Sequence, residues 1–392
     1  MKVVQINSVA YTGSTGRIAG DIGDVLIEKG HKSYIAYGRG EAVGISELIK
    51  IGDTLGTYLH GLNTLLTDGH GFSSKNATSR LVNQLDQIKP DLIGLHNLHG
   101  YYLNVNVLFE WINKNSIPLV WTLHDCWPIT GHCTYFDSVN CEKWIAGCYS
   151  CPKLNAYPKS LVDGSKRNYH AKKELFSSLK KLHIVTPSNW LKNHVLNSFL
   201  KKYEVSVIHN GIDLSVFKPN TGVRKEKVIL GVASTWDKRK GLEDFYALRS
   251  KLSFDWNIVL IGLSEKQIKQ LPTGIHGLAR TENIQELVKW YSKAFCFVNP
   301  TYQDNFPTTN IEALACGTPV ITYDTGGSPE AIDEFTGCVV NQGNIDGILS
   351  GIRSLQLRNA IELFKACRDR AEKKFDKQKR YGDYLKIYQK LR

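Results

Sequence analysis

Short apolar runs alternate with helical periodicities along the whole chain. The first run, Val3-Val4-Gln5-Ile6, has strand character and passes into Tyr11-Thr12-Gly13-Ser14-Thr15-Gly16. From Arg17 to Lys29 the apolar positions Ile18, Ile22, Val25 and Leu26 recur at three and four, and Gly30 stands where a helix C-terminal glycine belongs. Ser33 to Tyr37, Leu92 to Leu95, Leu119 to Leu123 and Ile184 to Thr186 are further strand-like runs, spaced widely enough for helices between them, which predicts a parallel sheet. The pattern restarts after Asn210-Gly211-Ile212-Asp213 and the loose stretch Phe217 to Arg224. Val228 to Ala233, Asn257 to Ile261, Phe295 to Asn299 and Val320 to Tyr323 read as strands, with helices such as Ile284 to Ala294 between them. The chain therefore reads as two α/β units followed by a polar helical tail. The tail's stripe of Phe375, Tyr381, Tyr384, Leu385 and Tyr388 has to bury against something.

Composition supports a folded protein with more than one core: 392 residues, 42% hydrophobic, 10% aromatic and 22% charged. No run reaches the eighteen or so apolar residues of a membrane span, and Met1 to Thr12 lacks the features of a signal peptide, so a cytosolic protein is expected. Nine cysteines in such a chain point to free thiols or a metal before disulfides. The excess of 49 Lys and Arg over 37 Asp and Glu gives +12 and favours an anionic partner. Nucleic acid is not expected, because no basic face interleaved with aromatics and no RNA-binding motif is found. The basic pairs at Lys172, Lys180 and Lys201 border an apolar stripe of Leu175, Phe176, Leu179 and Leu182. That stripe reads either as a core-facing helix or as a face docking on anionic lipid.

The most informative stretch runs from Asn299 to Ile321. A strand ends in a turn carrying Asp304, and a helix opens after Pro307 with Glu312 inside it. The unpaired N–H groups near Thr308 and Thr309 suit a phosphate, and carboxylates on either side could accept hydrogen bonds from hydroxyls, as a sugar nucleotide requires. A surface helix with a solvated glutamate is the plain alternative; the crowding of Asp324 to Glu330 after the next strand argues against it. In Gly231 to Gly241 a strand ends in a loop with Lys238, Arg239 and Lys240, which could neutralise a leaving diphosphate or form a solvated basic turn. Gly13 to Gly16, with Arg17, could admit a phosphate or an acceptor to the backbone, or be a glycine turn without a ligand. His124 follows a strand, at the end of a parallel sheet where ligands bind, and His96 and His99 share that geometry.

Asp304 and Glu312, separated by seven residues, together with the EALACGTPVI and TGGSPE segments, resemble the two-carboxylate motif of the family 4 retaining glycosyltransferases of GT-B fold. The likeness covers nearly the whole chain, and the most similar subgroup makes bacterial surface polysaccharides of the colanic acid or capsule type. The resemblance implies two Rossmann-like domains facing a central cleft. Residues 1–208 would be the acceptor domain, with an inserted cysteine-rich loop at 126–152; residues 209–371 would be the nucleotide-sugar donor domain; and the C-terminal helix 372–392 would pack back on the first.

It further implies retaining, metal-independent transfer from a UDP- or GDP-sugar to a saccharide or lipid-linked saccharide, with peripheral membrane contact. By the same resemblance Glu312 would bind the ribose, Asp304 the donor sugar, Lys240 the diphosphate, and His124 would face the donor sugar. Asn210, Arg239, Asn305, Phe306, Pro307 and Thr308 would complete the donor site, and Gly13, Gly16 and Arg17 the acceptor-side loop. Two departures stand out. The family usually has Glu at the position of Asp304, and its arginine six residues before Lys240 falls at Ser234, so Lys238 or Arg239 is expected to compensate. A sugar-nucleotide 2-epimerase of the same fold and a nucleic-acid-binding protein are the competing readings.

Cys133, Cys141, Cys148 and Cys151 lie in a segment without clear helix or strand periodicity, which is expected to lack a core of its own. Four thiolates around a structural zinc would fold it, and the Cys148–Cys151 spacing suits a metal. Small buried free thiols are the alternative.

Overall fold

The computed structural model describes residues 1–392, which fold as two units, Met1–His209 with Tyr381–Arg392, and Asn210–Arg380. The first unit holds seven parallel strands: β1 (Lys2–Asn7), β2 (Lys32–Tyr37), β3 (Glu47–Lys50), β4 (Leu92–Leu95), β5 (Leu119–Thr122), β6 (Leu182–Thr186) and β7 (Glu204–Val207). Their order is β3-β2-β1-β4-β5-β6-β7. The second holds β8 (Glu226–Val232), β9 (Asn257–Ile261), β10 (Ile275–Leu278), β11 (Ala294–Asn299), β12 (Val320–Tyr323) and β13 (Gly337–Val340), in the order β10-β9-β8-β11-β12-β13. Every pairing is parallel, with helices between the strands. Each sheet thus reverses its direction of growth once, between β1 and β4 and between β8 and β11. Ligands bind beyond the carboxyl ends of strands at such switch points.

All nine expected strands are present. The four that the hydrophobic pattern does not reveal, β3, β7, β10 and β13, are the edges of the two sheets. Central strands of a parallel sheet are covered on both faces and read as continuous apolar runs; β4, β5 and β6 are buried throughout. An edge strand such as β3, Glu-Leu-Ile-Lys, has exposed ends and a half-buried middle, so its sequence carries no such run. The first helix spans Gly13–Glu28, starting earlier than its apolar period suggests, and Gly30 takes a φ of 77° just beyond it.

The tail divides differently from the expected 372–392 helix. One helix continues to Lys374, and Phe375 is buried in the second unit, where its carbonyl accepts from Ile212 N–H at 2.7 Å. A separate helix, Lys377–Leu391, then buries Tyr381, Tyr384 and Tyr388 among Val3, Ile18, Leu92 and Val120 of the first unit. The aromatic stripe is therefore shared: Phe375 serves one core and the tyrosines the other.

The stripe at Phe176, Leu179 and Leu182 is core-facing, each residue being buried. Lys172, expected on the outer face, is buried too. Its Nζ donates to the carbonyls of Trp127 (2.8 Å) and Thr130 (3.0 Å) and sits 3.4 Å from the centre of a Trp127 ring. Burial draws its pKa down to about 7. No helix is long and apolar enough to cross a membrane.

Candidate active site

In the second unit, the loops after β8 and β11 meet at the switch point. After β8 a single turn, Lys238–Lys240, is capped by Asp237, whose carboxylate accepts from Lys240 N–H at 3.1 Å. Gly241 follows at φ 71°, where a Cβ would lie 2.2 Å from the Pro300 carbonyl oxygen, so only glycine lets the two loops close. The Arg239 carbonyl accepts from Tyr302 N–H at 2.8 Å. This contact brings Lys240 Nζ to 2.5 Å from Asp304 Oδ2, with both side chains less than a fifth exposed. The residues expected to hold diphosphate and sugar are thus paired with each other.

Asp304 is fixed from its other oxygen, which accepts from Asn305 N–H at 2.9 Å. Gly326 (φ 55°) lies so close behind that a Cβ there would fall 1.8 Å from the Asp304 carbonyl, and Gly327 N–H donates to Asn305 O at 2.7 Å. The TGGSPE loop therefore packs directly on the carboxylate loop. The helix Thr308–Ala315 opens after Pro307 with no side chain capping it, so its first N–H groups and dipole remain available to an anion. Glu312, in the second turn, is 3% exposed and accepts from Tyr291 OH at 2.9 Å through Oε2. Asn310 ties the helix to β11, its Oδ1 accepting from Asn299 at 2.9 Å.

The remaining donor-side expectations divide. Asn210 Nδ2 donates to the Phe306 carbonyl at 3.1 Å, which brings those two together. The Phe306 ring, however, is buried 5.8 Å from the Phe375 ring, so it offers a ligand backbone and not an aromatic face. Of the two candidates to replace the missing arginine, Lys238 is exposed, whereas Arg239 Nη1 donates to Gln303 O at 3.3 Å and so turns toward the carboxylate loop. Tyr291 was not foreseen; a phenol on the buried face of a helix reads as core. Nor was Ser328, whose hydroxyl is fully buried without a hydrogen-bond partner at the start of the turn Ser328–Ala331.

In the first unit, His124 follows β5 and lies in a chain of three side chains. Gln5 donates through Nε2 to Ala19 O at 2.8 Å, which directs its Oε1 at His96 Nε2, 3.0 Å away. His96 must then carry its proton on Nε2 and accept at Nδ1 from His124 Nε2–H, 3.1 Å away. That order leaves Nδ1 as the acceptor of the His124 ring. Burial holds the imidazole neutral, drawing its pKa down to about 4.

His99 belongs to a separate pair: its Nε2 is 2.6 Å from Asp125 Oδ2 and its Nδ1 3.1 Å from Tyr157 OH. Burial would raise the Asp125 pKa, but the charge of His99 and its hydrogen bond outweigh it and hold the carboxyl below its usual range. Asp125 and Tyr157 were not anticipated, although Asp125 sits one residue beyond His124 at the same strand end. In the glycine loop, Gly13 takes φ 61° with open space around it, and Arg17 is exposed. Gly16 has a different reason: a Cβ there would press 3.0 Å from Val9 Cγ2, so its smallness serves packing of the loop on the helix.

The cysteine-rich segment does have a core. Phe136 and Trp144 stack at 4.9 Å and are buried, with His194 edge-on to both rings. His132 is held by Asp68 at 2.6 Å. Cys133, Cys141, Cys148 and Cys151 line a single cavity of about 20 Å³, room for one water-sized sphere. Cys148 Sγ accepts from Gly131 N–H at 3.2 Å. No three of the cysteine, histidine and carboxylate side chains are gathered closely enough to hold a metal ion as they stand.

Comparison with known proteins identifies the family. Residues 15–216 match Glycosyltransferase Family 4, and residues 226–357 match Glycosyl transferases group 1. Over its full length, and all of the relative's, the chain is 23% identical to the putative colanic acid biosynthesis glycosyl transferase WcaC of Escherichia coli. It is 26% identical to the O-antigen chain mannosyltransferase RfbU of Salmonella typhimurium, across 68% of this chain and 72% of that one. Among solved structures, the sucrose-phosphate synthase of Thermosynechococcus elongatus superposes with a TM-score of 0.74 at 16% identity, covering 100% of this chain and 98% of that one. Anabaena Alr3699/HepE in complex with UDP does so with 0.68 at 14% identity, covering 100% of both. These similarities bear out the two-Rossmann GT-B architecture.

Proposed function

The chain belongs to glycosyltransferase family 4, and from that premise we propose that it moves a sugar, with retention of configuration, from a nucleotide-sugar donor to a saccharide or lipid-linked saccharide in bacterial surface polysaccharide synthesis. The observation that carries the reading is the Lys240–Asp304 pair at 2.5 Å on loops shared with the uncapped helix that buries Glu312. Relatives whose names specify colanic acid and O-antigen synthesis support the pathway class, and a neighbour solved with UDP supports a uridine nucleotide as donor. Lys240 and the helix N-terminus would stabilise the departing diphosphate without a metal. Glu312 would take the ribose and Asp304 the donor sugar. The enzyme would work in the cytoplasm, at the membrane face where a lipid-linked acceptor is presented.

A donor screen measuring nucleotide release, with and without lipid-linked acceptors, tests the reading. Release that depends on acceptor is expected; conversion of the nucleotide sugar with no acceptor present would instead identify a 2-epimerase. Asp304→Asn sharpens the division of labour. Because Asp304 now holds Lys240, the substitution should weaken donor-sugar binding while leaving affinity for the nucleotide diphosphate unchanged or higher. Titration calorimetry with each ligand measures this, and an equal loss for the diphosphate alone would contradict it.

For the cysteine loop we propose a structural zinc, with Cys133, Cys141, Cys148 and Cys151 closing in from the cavity wall to about 2.3 Å from one ion. About one zinc per chain is then expected by elemental analysis of protein purified without added metal, and Cys148→Ser should release it. Cys316→Ser and Cys367→Ser, at thiols buried in the second unit, should not. Zinc well below one per chain with four titratable thiols would overturn the zinc and leave the loop to the Phe136–Trp144 stack, the His132–Asp68 pair and Lys172.

A further inference from the structure

The helix Thr54–Thr67 is packed with its polar side inward. Its buried side chains are His60 and Thr64. Both are satisfied internally: His60 Nδ1 lies 2.8 Å from Ser74 Oγ, its Nε2 accepts from Gly71 N–H at 3.2 Å, and Thr64 donates to His60 O at 2.9 Å. The outward positions Leu55, Leu59, Leu62 and Leu66 follow one another at four, three and four residues, with Tyr58 three beyond Leu55, so all five share one face, and Leu55, Tyr58, Leu59, Leu62 and Leu66 are 69%, 77%, 58%, 52% and 51% exposed. An ordinary surface helix has the opposite arrangement. The patch continues onto Leu161 and Val162, 67% and 51% exposed, beside which Leu161 N–H donates to Leu65 O at 2.8 Å. Scattered single exposed leucines need no explanation, but a contiguous apolar face of this kind marks a surface that is covered in use.

Charge decides what covers it. No charged residue occurs between Thr54 and Thr67. The acids bordering the helix are already engaged: Asp53 accepts from Gly56 N–H at 2.7 Å, Asp68 is fully buried against His132, and Asp163 accepts from Cys151 and Ser165 N–H groups at 2.8 and 2.9 Å. The basic residues are exposed. Lys75 and Arg80 line a cavity of about 520 Å³ that the helix itself walls with Leu55 and Leu59. Lys159 and Lys166 stand exposed around the Leu161 end. A second copy of the chain on this face would bring two basic rims together. An anionic lipid surface satisfies both features, taking the leucines among its acyl chains and its phosphates against the cations. At fourteen residues the helix extends about 21 Å and is too short to span a bilayer, so it lies in the interface.

We propose that the face of helix Thr54–Thr67, with the Lys75 and Arg80 cavity beside it, is a membrane-docking surface for anionic phospholipid. It replaces the stretch around Leu175 to Leu182, which the core consumes. The inference concerns where the protein sits and stands apart from the donor chemistry.

Flotation of the full chain with vesicles of phosphatidylglycerol and phosphatidylcholine, against phosphatidylcholine alone, at low and moderate salt, tests it. The protein is expected to float with the anionic vesicles. Leu59→Glu with Leu62→Glu should lower the bound fraction at least tenfold, and both positions are exposed on a helix that glutamate suits, so circular dichroism and melting should be unchanged. Lys75→Ala with Arg80→Ala should abolish the preference for anionic over neutral vesicles. Failure of the wild type to float, flotation of the leucine variant like wild type, or a dimer by light scattering that the leucine variant dissociates would each overturn the proposal. Nucleotide release with a water-soluble saccharide acceptor should persist in the leucine variant, so a failure of the transfer reading is seen separately.

Discussion

Glu312→Gln is expected to lower kcat/KM for transfer at least tenfold, about 1.4 kcal/mol of transition-state stabilisation, in a protein that folds normally. Glutamine preserves the volume of a side chain that is 3% exposed and keeps an oxygen for the Tyr291 hydroxyl at 2.9 Å. What it removes is the charge and the second acceptor. A ribose presents two hydroxyl donors, and an amide would meet one of them with an N–H group that cannot accept. Since the ribose is held before, during and after the reaction, the loss is uniform binding and should fall mainly on KM, with a parallel weakening of nucleotide diphosphate affinity. Tyr291→Phe should give a smaller change of the same kind, because it loosens Glu312 without removing it. Steady-state kinetics and calorimetry on the purified variants decide this, and wild-type kcat/KM in Glu312→Gln would remove the residue from the site.

How much of this was legible in the chain follows from burial. The strands that carry the site, β5, β8, β11 and β12, lie inside their sheets and announce themselves as apolar runs. The edges β3, β7, β10 and β13 do not. Asp304 and Glu312 could be singled out because their placement after a strand end is a local property, and the family resemblance picked Lys240 out of its basic loop. Their pairing could not: Lys240 and Asp304 are 64 positions apart, and only the contact of Arg239 with Tyr302, made possible by Gly241, brings them together. The same holds for the Gln5–His96–His124 chain, whose members come from the middle of β1 and the ends of β4 and β5 and whose proton order depends on the Ala19 carbonyl. The apolar face of Thr54–Thr67 was hidden for another reason. A leucine period shows that a helix has an apolar side, and only the fold shows that this one turns it outward. Lys172 is the converse case, a lysine in a basic pair that the fold buries under Trp127.

Lys240→Ala should be the more severe kinetic lesion, lowering kcat at least tenfold, again about 1.4 kcal/mol or more. Negative charge gathers on the diphosphate as the sugar departs, so a cation placed there acts more strongly in the transition state than on bound donor, and its loss falls on kcat. The geometry adds a second effect. Lys240 Nζ lies 2.5 Å from Asp304, and with the lysine gone a carboxylate less than a fifth exposed stands unpaired beside the diphosphate position. Repulsion from that carboxylate should then weaken nucleotide binding as well. It follows that Lys240→Ala with Asp304→Asn should bind the nucleotide diphosphate more tightly than Lys240→Ala alone, although it transfers no faster, since the sugar contact is also lost. Lys240→Ala should also lower the melting temperature, because it leaves a carboxylate less than a fifth exposed without its cation, and Asp304→Asn in the double variant should recover part of that loss. A full double-mutant cycle, read by diphosphate affinity and by kcat separately, measures the coupling. Additive losses in affinity, with no recovery in the double variant, would mean that the two side chains do not share one site.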